Sequence, residues 1–346
     1  GKVAALRAHL GERYGRRVAA LAADLPGAKL PPYLASLIVA AEADVSEPLL
    51  REAYRVLRPY GGTACLRASE DFAARLKRLA AAAEMPGAEV TVKDGWVLLK
   101  RAGALSGSGV WTHQYADAGN TVVGKDSLAK APLGVLWFGG PANDEILPRH
   151  GHGPSPQVVG GRLFIEGRNL LRAVDVYTGK LLWDRQIKDL GRLYDNTRHQ
   201  SGANEIGSNY VSAADGVYVM TPQSCVKLDP ATGRTAMEFG LPANPPRQTR
   251  WGFITVWDKY LIAAVAPAQD GNWPSYSSSS ETLVVMDRQD GQVLWRRRAD
   301  QSFRHNTIVA GNGRIFCIDG IGSAKRDALR RRGLPVAGAP ALYALD

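Results

Sequence analysis

Over the first hundred residues, short apolar runs alternate with stretches of helical periodicity. Residues 47–57 place their large apolar side chains on one helical face and follow Ser46, a favourable N-cap residue. Further helices are predicted at 2–10 and 73–83, and buried strands at 34–39 and 63–66. Asp94-Gly95 separates two apolar runs, 89–92 and 96–99, which predicts a closing hairpin. Helices alternating with strands and ending in an antiparallel pair predict an α/β sheet that is parallel except for its last strands.

The pattern changes after a linker of small residues at 103–110, and from Trp111 the chain is built of repeats. Segments 173–183, 227–237 and 285–295 share an Asp, a turn glycine and a large final side chain. Residues 341–346 begin a fourth copy, and Leu136-Trp137 resembles the end of an earlier one. Repeats of this size predict an all-β partial β-propeller with four-stranded blades, about three and a half of them over 111–346. We expect missing sequence or another chain to complete the ring.

The repeat A-x-D-x-x-T-G-x-x-x-W resembles that of quinoprotein-type (PQQ-like) β-propellers, which also occurs in outer-membrane assembly scaffolds. Trp111 with Asp117, Asn120 and Thr121 resembles the opening motif of these propellers. In the family, the Asp accepts backbone hydrogen bonds, the Gly takes a positive φ, and the Trp packs between neighbouring blades. The resemblance implies a large multidomain bacterial protein whose propeller is a binding platform. The quinone-dependent enzymes of the family use a vicinal Cys-Cys pair and a Glu/Asn/Asp calcium shell, neither of which is identifiable in this sequence.

Residues 54–62 read Tyr-Arg-Val-Leu-Arg-Pro-Tyr-Gly-Gly. This run resembles a turn of class I S-adenosylmethionine (SAM)-dependent methyltransferases, which leads into the fifth strand of a Rossmann-like sheet. The resemblance covers residues 1–102 and implies the C-terminal half of such a domain, in which Asp24 would contact the cofactor adenine. The Gly-rich loop and the ribose-binding acid of the family would lie before Gly1. We therefore expect no appreciable SAM binding by this chain alone.

The composition, 45% hydrophobic and 22% charged, is that of a folded soluble protein and excludes a disordered or collagen-like chain. No run of eighteen apolar residues is present, so no transmembrane segment is predicted. Cys65, Cys225 and Cys317 are far apart and form neither a disulfide framework nor a zinc site. Because the chain begins with Gly1, we expect a fragment, whose compartment is left open between the cytoplasm and a bacterial cell envelope or periplasm.

Lysine and arginine outnumber aspartate and glutamate by 43 to 33, which gives a net charge of +10 and a pI near 9.6. The excess is +5 on each side of residue 102. An even excess is weaker evidence for nucleic-acid binding than a concentrated stripe. The dense clusters, 296–298 and 325–332, are interpreted as solvated loop charge. The sequence therefore carries no strong nucleic-acid signal.

The predicted blades place the long connections on one face of the propeller, which we call the loop face. These connections are 140–155, 188–208, 267–281, 298–306 and 319–341. Because loops on a rigid scaffold usually carry function, a protein or small-molecule ligand is expected there. The candidate ligand-binding residues are Arg149, Asn196, Gln200, Asn204, Arg304 and Asn306.

Four histidines of the loop face are candidate metal ligands. His150 and His152 project to one side of an extended segment, and His199 or His305 could supply a third nitrogen to a divalent cation. The alternative is loop histidines that are hydrogen-bonded to nearby backbone.

Three functional hypotheses follow from these observations. The first is a non-catalytic ligand- or partner-binding propeller tied to a methyltransferase-like domain. The second is a SAM-dependent methyltransferase that needs upstream sequence. The third is a quinone- or metal-dependent oxidoreductase. No nucleophile–base arrangement is identifiable, and similarity of fold does not by itself determine function.

Overall fold

A computed structural model of the chain describes residues 1–40, 45–67, 69–81, 85–147, 153–192, 194, 202–221, 223–241, 249–267, 278–336 and 338–346. The chain divides into two compact units. The N-terminal unit comprises residues 1–106 with 134–137, and the four-sheet unit comprises residues 107–133 with 138–346. Within the described ranges, no helix has both the length and the apolar character needed to cross a membrane.

The N-terminal unit combines three helices with one mixed sheet. Its elements are α1 (Lys2–Leu10), β1 (Leu37–Ala40), α2 (Glu47–Val56), β2 (Gly62–Arg67), α3 (Glu70–Leu79), β3 (Ala88–Lys93) and β4 (Trp96–Arg101). The strand order is β1-β2-β4-β3, with β1 parallel to β2 and both remaining pairs antiparallel. Asp94 and Gly95 take positive φ angles of 50° and 75°, which form the tight turn of the predicted hairpin.

The core of this unit is apolar and lies between α2, α3 and the sheet. Leu50 and Leu57, which the helical pattern placed on one face, are fully buried, and they pack with Leu66 and Leu99 of the strands. The expectation that β1 is buried is wrong for one of its faces. Leu37 and Val39 are 61% and 60% exposed, because the core packs on the opposite face of β1, which carries Ile38 and Ala40.

The four-sheet unit contains successive antiparallel sheets. Sheet I consists of β5 (Gln157–Val159), β6 (Arg162–Gly167), β7 (Leu170–Asp175) and β8 (Leu181–Gln186). Sheet II consists of β9 (Tyr210–Ala213), β10 (Gly216–Met220), β11 (Cys225–Leu228) and β12 (Thr235–Phe239). Sheet III consists of β13 (Thr249–Trp257), β14 (Tyr260–Pro267), β15 (Ser279–Asp287) and β16 (Val293–Arg304). Sheet IV consists of β17 (Val309–Gly311), β18 (Arg314–Asp319) and β19 (Ala341–Leu345).

Within each sheet, strands that are consecutive in the chain pair with each other, and sheets III and IV are joined at their edge, where Phe303 of β16 pairs with Asp319 of β18. A short helix, α4 (Ala203–Ile206), precedes sheet II, and α5 (Ser323–Arg331) lies between β18 and β19. The first strands of consecutive sheets are in contact, β5 with β9, β9 with β13, and β13 with β17, and β16 of sheet III also contacts β18 of sheet IV. Hydrophobic clusters fill the spaces between consecutive sheets. Four-stranded antiparallel sheets arranged in this way fit a partial β-propeller.

The repeated turn and its final aromatic residue explain how one sheet packs on the next. The Asp175 carboxylate accepts the backbone N–H groups of Tyr177 and Thr178, each at 3.0 Å, and Gly179 has φ 67°. Trp183 then packs against Gly233, the turn glycine of the next repeat, and its Nε1 donates to the carbonyl of Pro230 at 3.0 Å.

In the second repeat, Met237 stands where the pattern has tryptophan. Its terminal methyl group packs against Gly291, the turn glycine of the third repeat. The predicted docking of each repeat on the next is therefore confirmed for two successive steps.

Candidate binding site at the first strands of the four-sheet unit

One segment, residues 111–121, crosses the first strands of all four sheets, and we call it the crossing segment. Trp111 exchanges two backbone hydrogen bonds with Val158 of β5, at 2.9 and 2.7 Å. The carbonyl of Thr112 accepts from Ser212 of β9 at 3.0 Å, and that of Ala118 accepts from Ala310 of β17 at 2.8 Å. Between them, His113 Nε2 lies 3.0 Å from the carbonyl oxygen of Val256 in β13. The opening motif of the sequence thus ties the first strands together.

A small cavity opens between the crossing segment and these strands. Its volume is about 20 Å³, enough for one water molecule. The lining combines polar and apolar side chains: His113, Gln114, Tyr115, Asn120, Ser208, Val211, Phe253, Ile254, Thr255, Asn306 and Ile308. The cavity therefore brings together the crossing segment, the region before sheet II and one of the predicted loop-face residues, Asn306.

A buried carboxylate lies next to this region, where sheets I and II meet. Glu166 shares its strand face with Phe164, because side chains two apart point the same way. Phe164 is part of the core between sheets I and II, so Glu166 also points into the molecule and is only 2% exposed. Its Oε1 accepts the side-chain N–H of Asn209 at 3.0 Å, and the backbone N–H of Gly191 also bonds the carboxyl group.

Two oxygens at this contact remain unpaired. Neither Glu166 Oε2 nor Asn209 Oδ1 has a hydrogen-bond partner in the described part of the chain, although both are buried. Burial raises the pKa of Glu166 to about 8, while the bonds from Asn209 and Gly191 act in the opposite direction. A buried polar atom without a partner is costly and calls for a ligand or a structural reason.

His305 is placed differently from the expectation for a metal ligand. It is fully buried, stacks on Phe253 with ring centroids 5.6 Å apart, and has both ring nitrogens engaged. Nδ1 donates to the carbonyl of Ile206, and Nε2 accepts from the Ser280 hydroxyl, both at 2.7 Å. Burial lowers the pKa of His305 to about 4, so the ring is neutral at physiological pH. This geometry matches the alternative of a hydrogen-bonded histidine.

The other predicted site residues divide into two groups. Six lie outside the described residues: Arg149, His150, His152, Asn196, His199 and Gln200. Asn204 and Asn306 do come together, because the Asn306 amide donates to the backbone carbonyls of Asn204 and of Ala203. Arg304 is exposed at the end of β16. The described residues contain no group of three or more His, Cys, Asp or Glu side chains that could hold a metal ion.

Asp24 of the N-terminal unit lies in a turn and is exposed. Its carboxylate accepts the backbone N–H of Gly27 at 2.8 Å. A turn-capping role accounts for this contact, and the predicted adenine contact is untested.

Glu166 and Asn209 are the site residues that sequence reasoning missed. One signal for Glu166 was available, since it is a charged residue two positions after Phe164, on the same face of a predicted strand. No comparable signal marks Asn209, which is separated from Glu166 by 43 positions.

No protein-family model and no curated protein matches this chain. Solved structures with limited similarity include a europium-containing methanol dehydrogenase, with a TM-score of 0.35 and 13% identity. The match covers 55% of this chain and 32% of that enzyme. BamB from Moraxella catarrhalis matches with a TM-score of 0.26 and 13% identity, over 48% of this chain and 59% of BamB. The chain thus matches less than two thirds of either protein, and its architecture is established by its own sheets.

Proposed function

We propose that the four-sheet unit is a binding module whose ligand site includes Glu166 and Asn209, next to the connection 188–208 of the loop face. The observation that supports this proposal is the pair of buried, unpartnered oxygens, Glu166 Oε2 and Asn209 Oδ1. Buried polar atoms in folded proteins are nearly always satisfied, so an exception at the edge of a predicted ligand face favours a bound group.

The chemistry of the two oxygens favours a hard cation such as calcium. Carboxylate and amide oxygens are preferred ligands of Ca²⁺, which takes six to eight oxygen donors. Glu166 and Asn209 would provide part of this set, and water or the bound molecule would provide the rest. Because metal ligands bind in the deprotonated form and the pKa of Glu166 is about 8, the affinity should rise with pH up to that value.

The direct test is calcium binding followed by thermal unfolding and by calorimetry. Calcium is expected to raise the melting temperature of the wild-type chain and to give a measurable heat of binding. Glu166→Gln should abolish both effects. Glu238→Gln, which removes an exposed carboxylate from the outer strand β12, is the matched control and should abolish neither. A wild-type chain that shows no calcium effect up to millimolar concentration contradicts the proposal.

An oxidoreductase is a second candidate that the same oxygen pair favours. In such an enzyme, Glu166 and Asn209 would hold the calcium ion beside a quinone, which would accept electrons from the substrate. The chain lacks the vicinal cysteine pair of that family, and Cys225 and Cys317 are both buried. Addition of the quinone with calcium is expected to leave the visible absorbance of the chain unchanged. A stoichiometric, calcium-dependent quinone spectrum would favour the enzyme.

A methyltransferase role for the N-terminal unit is supported by its strand order. One parallel pair followed by a reversed hairpin, β1-β2-β4-β3, is the order expected for the second half of such a domain. The cofactor loop is not among the residues of this chain, so calorimetry with SAM is expected to detect no binding. Micromolar affinity of this chain for SAM would contradict the expectation that its cofactor site is incomplete.

A further inference from the structure

The connection between the second and third strands is much longer in sheet IV than in sheets I and II. Two residues, 168–169, join β6 to β7, and four residues, 221–224, join β10 to β11. In sheet IV, residues 320–340 join β18 to β19 and include α5. This connection is far longer than the roughly 2–5 residues typical of loops between hairpin strands, so it is an insertion in the repeat.

The positive charge of the four-sheet unit is concentrated in its last part. Residues 107–290 contain 17 basic and 18 acidic residues, whereas residues 291–346 contain ten basic and four acidic residues. The inserted connection alone contains five basic residues, Lys325, Arg326, Arg330, Arg331 and Arg332, and one acidic residue, Asp327. The even division of charge at residue 102 therefore conceals a local concentration.

Four of these basic side chains are exposed, and the connection that presents them is fixed at its base. Lys325, Arg330, Arg331 and Arg332 are exposed, while Arg326 is half-buried and donates to the carbonyl of Gly338 at 3.4 Å. The Asp327 carboxylate is 3.7 Å from Arg330, and both side chains are more than half exposed, so this ion pair neutralises little.

Strand β16 holds both ends of the connection. The Asp319 carboxylate accepts the backbone N–H groups of Gln301 and Ser302 at 2.9 and 2.8 Å. At the other end, the Gln301 side chain donates to the carbonyl of Gly338 at 3.3 Å. A helix that is held on a sheet presents its charges at a fixed place.

The composition of α5 favours a nucleic acid over a lipid surface as the partner. Four of the five basic residues of the connection are arginines, and the guanidinium group matches phosphate geometry. A helix that binds lipid surfaces also needs an apolar face to insert into the membrane. The apolar residues Ala328 and Leu329 are instead half-buried in the protein.

We propose that α5 and the turn after it form a docking surface for the phosphate backbone of a nucleic acid. The recognition is electrostatic, since the exposed groups are cations and no base-reading element accompanies them in the described residues. The proposal is independent of the calcium site.

The test is fluorescence anisotropy with labelled single-stranded and double-stranded oligonucleotides of unrelated sequences. The chain should bind without sequence preference. With four phosphate contacts, log affinity should fall with log salt with a slope of about −3. Substitution of Lys325, Arg330, Arg331 and Arg332 by glutamine should weaken binding at least tenfold and flatten that slope. The matched control removes four exposed charges from the N-terminal unit, by substituting Lys2, Arg13, Arg16 and Arg17 with glutamine, and should change affinity less than twofold.

Three outcomes would overturn the proposal. The first is no binding at about 50 mM salt, where electrostatic binding is strong. The second is an equal loss in the α5 variant and in the control variant, which would indicate nonspecific attraction to net charge. The third is binding to phosphatidylglycerol vesicles without binding to oligonucleotides, which would identify a lipid surface instead. Circular dichroism of both variants shows whether each remains folded.

Discussion

The N-terminal unit and the four-sheet unit bury different kinds of side chain. The described core of the N-terminal unit is built from apolar residues such as Leu50, Leu66 and Leu99. All buried polar and charged side chains in the described residues belong to the four-sheet unit, among them Glu166, Arg172 and His305. Because burial of a polar group costs free energy unless it is hydrogen-bonded, these groups have to be held by specific partners.

The N-terminal unit is therefore stabilised mainly by apolar packing, whereas the four-sheet unit also depends on specific hydrogen bonds to its buried polar side chains. An apolar core tolerates exchange between residues of similar volume. A buried ionisable group makes stability depend on pH and provides chemistry that a ligand can use. The comparison thus explains why the candidate site lies in the four-sheet unit.

The largest expected effect concerns the docking of sheet I on sheet II. Trp183→Ala should destabilise the four-sheet unit by about 3–5 kcal/mol, because it removes a buried aromatic side chain and its bond to Pro230. Met237→Ala, at the equivalent position of the next repeat, should cost less, because Met237 is only half-buried. Urea denaturation of both variants measures the difference. Equal losses of stability in the two variants would show that the contribution of a docking contact does not depend on how deeply its side chain is buried.

The turn glycines give the next largest difference. Ala at position 233 would place its Cβ 2.7 Å from the Trp183 ring at a φ of 68°, so Gly233→Ala should cost about 2–4 kcal/mol. Ala at position 291 would place its Cβ 3.2 Å from the flexible end of Met237 and 3.4 Å from the Phe239 ring. Gly291→Ala should therefore cost about 1–2 kcal/mol, mainly from its positive φ. The same urea measurement applies, and a reversed order of the two variants would contradict the packing argument.

The pH dependence of stability is a smaller effect that distinguishes the units directly. The pKa values of His113 and His305 are lowered to about 4 by burial, so unfolding takes up protons between pH 4 and 6.5, and stability should rise with pH there. The pKa of Glu166 is raised to about 8, so unfolding releases a proton between pH 4.5 and 8, and stability should fall with rising pH.

These opposing contributions predict a stability maximum near pH 6.5 for the four-sheet unit. Below this pH, the two histidines change the free energy of unfolding more strongly than Glu166 does. Above it, only Glu166 changes this free energy, by at most about 1.4 kcal/mol per pH unit. Glu166→Gln should remove the fall between pH 6.5 and 8, as followed by chemical denaturation across that range. A fall that persists in this variant would assign the effect to another group.

The smallest expected effect is that of a surface ion pair in the N-terminal unit. Arg51 Nη2 lies 2.5 Å from Glu47 Oε1 on α2, and both side chains are more than 40% exposed. Arg51→Ala should therefore change stability by less than about 0.5 kcal/mol in a thermal or urea experiment. A loss above 1 kcal/mol would show that polar contacts also stabilise this unit.

Local patterns predicted the elements of both units well. The predicted helix at 47–57 is α2, the Asp94-Gly95 hairpin joins β3 to β4, and the repeated turns at Gly179, Gly233 and Gly291 are all present. These features depend on side chains within one turn or one strand, which is the range over which capping and alternation act. The exposed face of β1 was not predicted, because the exposure of a face depends on which elements pack on it.

The candidate site shows the limit of such reasoning. His305 was predicted to be an available ligand of the loop face, but Ile206 and Ser280 occupy both of its ring nitrogens. Ile206 is 99 positions away from it, so no local pattern could have revealed this contact.

The sequence by itself determined the repeated turns and the residues that dock one repeat on the next. Only the tertiary structure decided which polar side chains are buried and which two of them meet at the candidate site. Glu166 and Asn209 belong to different sheets, and their contact exists because Trp183 and the first strands bring sheets I and II together. Burial is a property of packed neighbours. It raises the pKa of Glu166, and at the same contact Glu166 Oε2 and Asn209 Oδ1 have no hydrogen-bond partner among the described residues.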